Sequence, residues 1–323
     1  VRRSRKHGRR FRAFLIVVAA GLGGLIWWAW PVVGPTQRGG TGDADGSLLR
    51  ATDPLAATKT PALRPLEPRD DDAPADPAAK RRLAEGRAAL ARGDLVKARL
   101  LLSEALACGL PRGQAVRVRA ELDKLADKMI FTRECYPGDT LVGTVEVLPG
   151  ETLAKIADKY FVTEELLAAI NGLRNKNLIR AGQKLKIVRG PFRAVVDKPH
   201  HEMYIYVGEL YICGCRVALG ENGGTPTGNW VVQNRVPNPA WVNPRTGERV
   251  HADDPDNPVG EYWIGLAGVS GEAKGKDDYG IHGTNDESTI GRDVSMGCVR
   301  LGDRDIQRVY QLLVPKHSTV VIR

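Results

Sequence analysis

Hydrophobic and polar positions change their spacing several times along the chain, and each change marks a different element. From Phe14 to Trp30 no residue is charged, and the uncharged run continues through Pro31 to Gln37. A bilayer is crossed by about 20 such residues, so the stretch predicts a transmembrane helix. Residues 34–77 lose this character: Gly, Pro, Asp, Thr and Ala dominate, no aromatic residue occurs, and the composition reads as a disordered linker. Over 78–130 apolar residues recur at near-helical spacing: Leu83 and Leu90, then Val96, Leu100, Leu101 and Leu106, then Val116, Ala120, Leu122, Leu125 and Met129. Breaks at Arg92-Gly93-Asp94 and Gly109-Leu110-Pro111 divide this into a short all-α hairpin region and a third helix.

Residues 143–189 read differently. A short strand enters Pro149-Gly150, and a helix begins at Glu151-Thr152 with Leu153, Ile156 and Ala157 inward. Thr163 caps a second helix with two early glutamates, Gly182 turns the chain, and a closing strand completes a βααβ unit. From Phe192 on, β-branched and aromatic runs separated by turn residues predict a mainly-β domain over 192–323. Pro237 to Pro258 holds five prolines and predicts a long surface loop. One amphipathic helix follows, capped by Asp303, with Ile306, Val309, Tyr310 and Leu313 on one face.

The net charge of +9 suggests nucleic acid until it is located. Arg2, Arg3, Arg5, Lys6, Arg9, Arg10 and Arg12 supply most of it within the first twelve residues. The rest of the chain is close to neutral, so no nucleic-acid partner is indicated. A basic tail before an uncharged run, with Trp27, Trp28 and Trp30 at its far end, reads as a signal anchor over residues 1–33. It implies a single-pass protein of the cell membrane, its tail cytoplasmic and everything after Trp30 extracytoplasmic. A cleaved signal peptide is the rival, though no clear Ala-x-Ala site follows.

Candidate chemistry concentrates between Ile281 and Leu301. His282 sits between Ile281 and Gly283, and sixteen positions later comes Cys298, flanked by Ser295, Gly297 and Arg300. A thiol attacks as thiolate, and an imidazole can take its proton. Gly283 offers a backbone carbonyl to fix the ring. The backbone N–H groups of Met296, Gly297 and Cys298 could converge as an oxyanion hole. Arg300 could fork onto a substrate carboxylate.

Ile281-His-Gly-Thr and Ser295-Met-Gly-Cys-Val-Arg-Leu resemble the signature of the L,D-transpeptidase (YkuD-type) catalytic domain. Thr225-Pro-Thr-Gly-Asn-Trp230, Asn257-Pro-Val-Gly-Glu-Tyr-Trp263 and Tyr279-Gly-Ile-His-Gly-Thr284 fall in the same order as in that family. The resemblance covers 192–323 and implies a β-sandwich with Cys298 as nucleophile, His282 as acid/base and Gly283 as the orienting carbonyl. One departure stands out: the family's second histidine, two residues before the cysteine, is Met296 here. A thioether cannot accept a proton at neutral pH, so His282 is left as the base. Ser295, Tyr279, Trp263 and Arg300 are the candidate substrate contacts, although Trp263 could equally be core.

Residues 144–188, with Pro149-Gly-Glu-Thr-Leu153, Asn171-Gly-Leu173 and Ala181-Gly-Gln-Lys-Leu-Lys-Ile-Val188, resemble a lysin motif (LysM). That family binds N-acetylglucosamine-containing glycans. The alternative is a βααβ spacer without sugar affinity. Pro137-Gly-Asp-Thr-Leu141 echoes the motif, but no helical pattern follows it. Ala89 to Ala98 resembles one tetratricopeptide-type hairpin, read as a helical spacer in preference to a partner platform.

The combined resemblance implies a peptidoglycan L,D-transpeptidase forming 3→3 cross-links through a Cys298 thioester. Its partners would be stem peptides and glycan strands, and no cofactor or metal is required. Alternatives are an L,D-carboxypeptidase, a protein-to-wall anchoring enzyme, or a non-catalytic tether. Cys213 and Cys215 alternate on one strand face and read as packed thiols, whereas Cys108 and Cys135 could pair in an oxidising compartment. His200 and His201 read as solvated, with no spaced ligands around them to suggest a metal site.

Overall fold

The computed structural model describes residues 74–243 and 246–323. The expected anchor over 1–33 and nearly all of the expected linker lie outside the described residues. Among the described residues, no helix is long and apolar enough to cross a membrane.

The described chain begins with three helices: α1 (Pro77–Ala91), α2 (Leu95–Cys108) and α3 (Arg112–Met129). Asp76 and Asp94 cap the first two by accepting from Ala78 N and Lys97 N at 2.7 and 3.1 Å, satisfying N–H groups that a helix start leaves without partners. The βααβ unit follows as β1 (Val142–Glu146), α4 (Leu153–Lys159), α5 (Glu164–Asn171) and β2 (Lys184–Val188), with β1 and β2 antiparallel. Its helices start at Thr152 and Thr163, whose hydroxyls accept from Lys155 N and Leu166 N. Leu153, Ile156 and Ala157 are buried as the periodicity required.

The remaining strands are β3 (Arg193–Asp197), β4 (Glu202–Val207), β5 (Leu210–Arg216), β6 (Leu219–Gly220), β7 (Gly228–Pro237), β8 (Trp241–Val242), β9 (Arg249–Val250), β10 (Tyr262–Gly271), β11 (Tyr279–His282), β12 (Asp293–Ser295) and β13 (Val299–Arg300). Helix α6 (Asp303–Leu312) and strand β14 (Thr319–Ile322) close the chain. The expected β-sandwich is instead built on one continuous eight-stranded sheet in the order β13-β11-β10-β7-β14-β3-β4-β5, with the two-stranded pairs β6–β12 and β8–β9 beside it. The last strand joins its halves, because β14 pairs antiparallel to β7 on one side and parallel to β3 on the other. The cap of α6 also differs from expectation. Asp303 is its first residue, and its N–H is met by the Glu287 carboxylate at 2.8 Å, a contact from sixteen residues upstream. Ile306, Val309, Tyr310 and Leu313 are all buried.

The helical region is not a free spacer. One apolar core runs from Ala75 to Ile322 through all three regions. β5 is a sheet edge, and an open edge exposes unpaired backbone groups. Here Ser103 on α2 accepts from Tyr211 N at 3.2 Å, and Asp123 on α3 accepts from the Tyr211 hydroxyl at 3.0 Å. Arg119 lies over the Tyr204 ring at 4.0 Å, and Arg112 pairs with Glu202 at 3.2 Å. The Pro137–Leu141 echo of the lysin motif is a brace: Asp139 takes both terminal nitrogens of buried Arg99, at 2.6 and 3.1 Å. Lys186 on β2 is buried with Nζ donating to the Met129, Thr132 and Glu134 carbonyls, each at 2.7 Å. It thus meets the carbonyl of Met129, the last residue of α3, which a helix C-terminus leaves without a partner, and two carbonyls of the turn that follows.

The βααβ unit is likewise docked on the sheet. Arg235 on β7 stacks over Tyr310 at 3.7 Å and reaches Glu165 on α5 at 3.4 Å. Thr163, besides capping α5, donates its hydroxyl to the Gln311 carbonyl. All five cysteines carry free thiols. Burial pushes the Cys213 thiol up to about 12 and that of Cys215 up as well, which suits inert packed thiols. His200 and His201 each hydrogen-bond a carboxylate, contrary to the solvated reading: His200 Nδ1 meets Asp197 at 3.0 Å and His201 Nε2 meets Asp293 at 2.9 Å.

Candidate active site

β11 carries the histidine and β13 continues from the cysteine. The two strands are parallel, with Ile281 opposite Val299 and His282 opposite Arg300. Extending that register one step back sets Cys298 beside Gly280, and a Gly280 backbone hydrogen bond indeed favours the thiolate. His282 lies two residues further along the same strand, and residues two apart project to the same side. Distant stretches of sequence thereby bring thiol and imidazole to one edge of the sheet.

His282 is 5 % exposed, and its Nδ1 lies 2.7 Å from the Gly283 carbonyl. A carbonyl can only accept, so Nδ1 carries the hydrogen and Nε2 keeps its lone pair. Burial lowers the imidazole pKa to about 4, opposed by the Gly283 carbonyl, assisted by the Arg300 cation, and opposed again by the Val259 carbonyl. Burial also raises the Cys298 thiol, against the Gly280 hydrogen bond and Arg300. Burial thus favours the neutral form of both groups. The two carbonyls beside the ring favour the imidazolium once it forms.

Trp263 on β10 is the cross-strand partner of His282, and its indole stacks on the imidazole at 5.7 Å between centroids and 20° between planes. The indole also covers Gly280, where a Cβ would sit 2.5 Å from the ring. Glycine is required there by close approach. Tyr279 packs against Trp230 at 5.4 Å, and its ring lies against Gly297. Gly297 has φ +139°, and a Cβ there would fall 2.6 Å from Tyr279 Cε1. Trp263 and Tyr279 thus both touch the machinery.

The loop before the nucleophile departs from expectation in two respects. Ser295, expected to face substrate, is 3 % exposed and spends its hydroxyl on the loop. Its hydroxyl accepts from Gly297 N at 3.0 Å and donates to the Cys298 carbonyl at 2.7 Å, closing the loop on itself. The Gly297 N–H is therefore committed and cannot serve an oxyanion, leaving the Met296 and Cys298 N–H groups of the expected trio. Met296 is 46 % exposed. Arg300 is half-buried with Nε unpartnered; burial lowers its pKa, against an ionised Cys298 and the Asp286 and Glu221 carboxylates.

Two supporting residues carried no assignment in the sequence. Thr225, 1 % exposed, donates to the Gly297 carbonyl and accepts from Gly220 N, both at 2.8 Å. Asn257 gathers the proline-rich loop, which folds as the β8–β9 hairpin: its side-chain nitrogen donates to the Pro239 carbonyl at 2.8 Å and its oxygen accepts from Val259 N at 3.1 Å. Val259 in turn faces the histidine. Each precedes a proline in the stretches quoted above, which was the available signal, but Thr225 meets Gly297 across 72 positions. Among the described residues, no group of His, Cys, Asp and Glu could hold a metal ion.

The imidazole's displaced pKa has a measurable consequence. The folded value of about 4 lies below the ordinary 6.5, so the folded protein binds fewer protons than the unfolded chain in that window. Stability from this group is complete above pH 6.5 and is lost as pH falls toward 4, by about 3 kcal/mol in all. Urea unfolding at pH 7 and pH 4 should show that loss in the parent and its absence in His282→Ala. Equal pH dependence in both proteins would contradict a buried neutral imidazole.

With the geometry established, the relatives are informative. The L,D-transpeptidase catalytic domain family matches residues 191–322, and the LysM domain family matches residues 145–188. YkuD of Bacillus licheniformis, named as an L,D-transpeptidase, is 32 % identical over 184 residues, covering 55 % of this chain and 96 % of that protein. YcfS of Escherichia coli, named likewise, is 32 % identical over 198 residues, covering 54 % of this chain and 59 % of that protein. A crystal structure of an L,D-transpeptidase from Mycobacterium tuberculosis H37Rv aligns with TM-score 0.33 and 14 % identity, over 45 % of this chain and 63 % of that one. The sequence matches, on a mainly-β domain that presents a cysteine and a histidine in this arrangement, place the chain in the YkuD family of L,D-transpeptidases, which are cysteine-dependent acyltransferases.

Proposed function

We propose that this protein forms 3→3 cross-links in peptidoglycan through a thioester on Cys298. The observation that carries the reading is His282 with Nδ1–H fixed on the Gly283 carbonyl, which leaves the ring's lone pair on Nε2, on the strand beside Cys298. His282 Nε2 takes the thiol proton as sulfur attacks the carbonyl of the third, diamino-acid residue in a tetrapeptide stem. The oxyanion is met by backbone N–H beside the nucleophile. As the intermediate collapses, the imidazolium returns the proton to the leaving amine, and D-alanine departs. The side-chain amine of a second stem then attacks the thioester. The C–S bond breaks, an amide forms, and the amine proton passes through His282 to the sulfur.

The lysin motif supports glycan recognition. A groove of about 520 Å³ is lined by Glu151, Thr152, Leu153, Ala154, Glu164, Lys176, Asn177 and Ile179, a mixture of apolar walls and hydrogen-bonding groups suited to sugar. The uncharged run behind a basic tail supports a membrane anchor, with the enzyme outside the cytoplasm.

The full chain, mixed with sacculi rich in tetrapeptide stems, should pellet with them and yield dimers joined between two third residues. Ile179→Asp, which places a charge in the groove, should cut pelleting several-fold. Release of D-alanine without dimers would make water the acceptor, and pelleting indifferent to Ile179→Asp would leave the βααβ unit a spacer.

A further inference from the structure

We infer that Thr225 is a positioning residue that aims the Cys298 N–H at the oxyanion of the acyl-transfer step, an assignment that rests on the reading above. The inference follows from the fate of each backbone group around the nucleophile. Ser295 Oγ takes the Gly297 N–H and gives its own hydrogen to the Cys298 carbonyl. Thr225 Oγ1 gives its hydrogen to the Gly297 carbonyl. A hydroxyl has one hydrogen, so toward Gly220 N, also 2.8 Å away, the same oxygen is the acceptor. Its donor and acceptor roles are both used, and its direction is fixed.

The peptide joining Gly297 to Cys298 is trans, since the sole cis bond among the described residues precedes Pro191. In a trans peptide the C=O and the following N–H point in opposite directions. Holding the Gly297 carbonyl down on Thr225 therefore turns the Cys298 N–H away from Thr225. With Gly297 N–H and Cys298 C=O both tied to Ser295, that N–H is the group of the Gly297–Cys298 pair left for substrate. A donor serves catalysis when its direction is set before the charge develops.

The anchor itself is held. Thr225 is 1 % exposed, and its own carbonyl accepts from Lys198 Nζ. It sits in the turn after β6, whose strand pairs parallel with β12, the strand leading into the nucleophile loop. The Gly224 carbonyl lies under Gly297, 3.0 Å from where a Cβ would be. The turn is thus a floor beneath the loop, contributed from about seventy residues upstream.

The test separates aiming of the N–H from placement of the sulfur. Iodoacetamide alkylates a thiol by displacing iodide at a saturated carbon and forms no oxyanion, whereas attack on a tetrapeptide stem does form one. In the full chain, Thr225→Val keeps the shape and removes both hydrogen bonds. D-alanine release should fall about 30-fold, somewhat less than the 10²–10³ typical of deleting an oxyanion donor outright. Alkylation of Cys298, followed on its own peptide by mass, should stay within about twofold. Thr225→Ser, which restores the hydroxyl, should bring release back to within about threefold. Parallel change in both reactions, or release unaffected by Thr225→Val, would overturn the assignment. A parent protein that alkylates at Cys298 yet releases no D-alanine would sink the acyl-transfer reading itself, and this assignment with it.

Discussion

Replacing Cys298 by alanine should abolish release of D-alanine from a tetrapeptide donor, to below detection. Catalysis through a covalent intermediate fails outright without its nucleophile, and no other thiol is placed to substitute. Cys213 and Cys215 are on β5, at the opposite edge of the sheet from β13, and burial raises both thiols. Cys135 is exposed, near Thr144 at the start of the βααβ unit, and Cys108 ends α2. The fold itself should survive, because the loop is held by Ser295 and Thr225 and not by the sulfur. D-alanine release by the alanine variant at any sizeable fraction of the parent rate would remove Cys298 from the mechanism.

His282→Ala should slow acylation at neutral pH on the order of 100-fold or more, the usual size of a general-base contribution. The resting protonation states sharpen this expectation. Burial raises the Cys298 thiol and lowers the imidazole, so it works against a preformed thiolate–imidazolium couple. Without His282 the thiol must ionise to solvent. The deficit should then shrink as pH rises toward the thiol's elevated pKa, because hydroxide can do what the base did. A deficit independent of pH would show that the imidazole does something other than take the proton. Parent-like acylation at neutral pH would exclude it from the step. Met296 does not complicate the result, since a thioether offers no proton acceptance at neutral pH.

Much of this was legible in the sequence because it rests on local pattern. The pinned imidazole needs no more than His282 and its immediate neighbour Gly283. Thr152 and Thr163 cap their helices within three residues, and the buried face of α6 follows from helical periodicity. What escaped was set by contacts between distant segments. Thr225 meets Gly297 across 72 positions, and Ser103 meets Tyr211 across 108. Nothing in the helical periodicity of α2 and α3 says that they will cover the edge of a sheet assembled a hundred residues later. The single sheet was hidden for the same reason, because it depends on where the last strand inserts. Ser295 shows a subtler limit. Its polarity and position suggested substrate contact, but a short side chain in a tight loop satisfies the loop's own backbone first. The Gly297 N–H was lost to the oxyanion hole by that same hydrogen bond.

The arrangement also explains why a small change of residue type can be tolerated at Met296 and not one position later. Met296 is 46 % exposed, so its side chain projects from the loop without supporting it. Gly297 has no room for a Cβ against Tyr279 and adopts a φ that side chains disfavour. The loop's shape is therefore held by Gly297, Ser295 and Thr225, and the side chain at 296 is not needed to keep it.

The most direct measurement is the intact mass of the protein after incubation with a tetrapeptide stem donor in the absence of acceptor. The account predicts a mass gain equal to the donor minus D-alanine, located by peptide mapping on Cys298. It should be discharged by a second stem's diamino-acid amine to give a dimer joined between two third residues. Turnover of the donor with no adduct on Cys298, or an adduct that retains the terminal D-alanine, would contradict it.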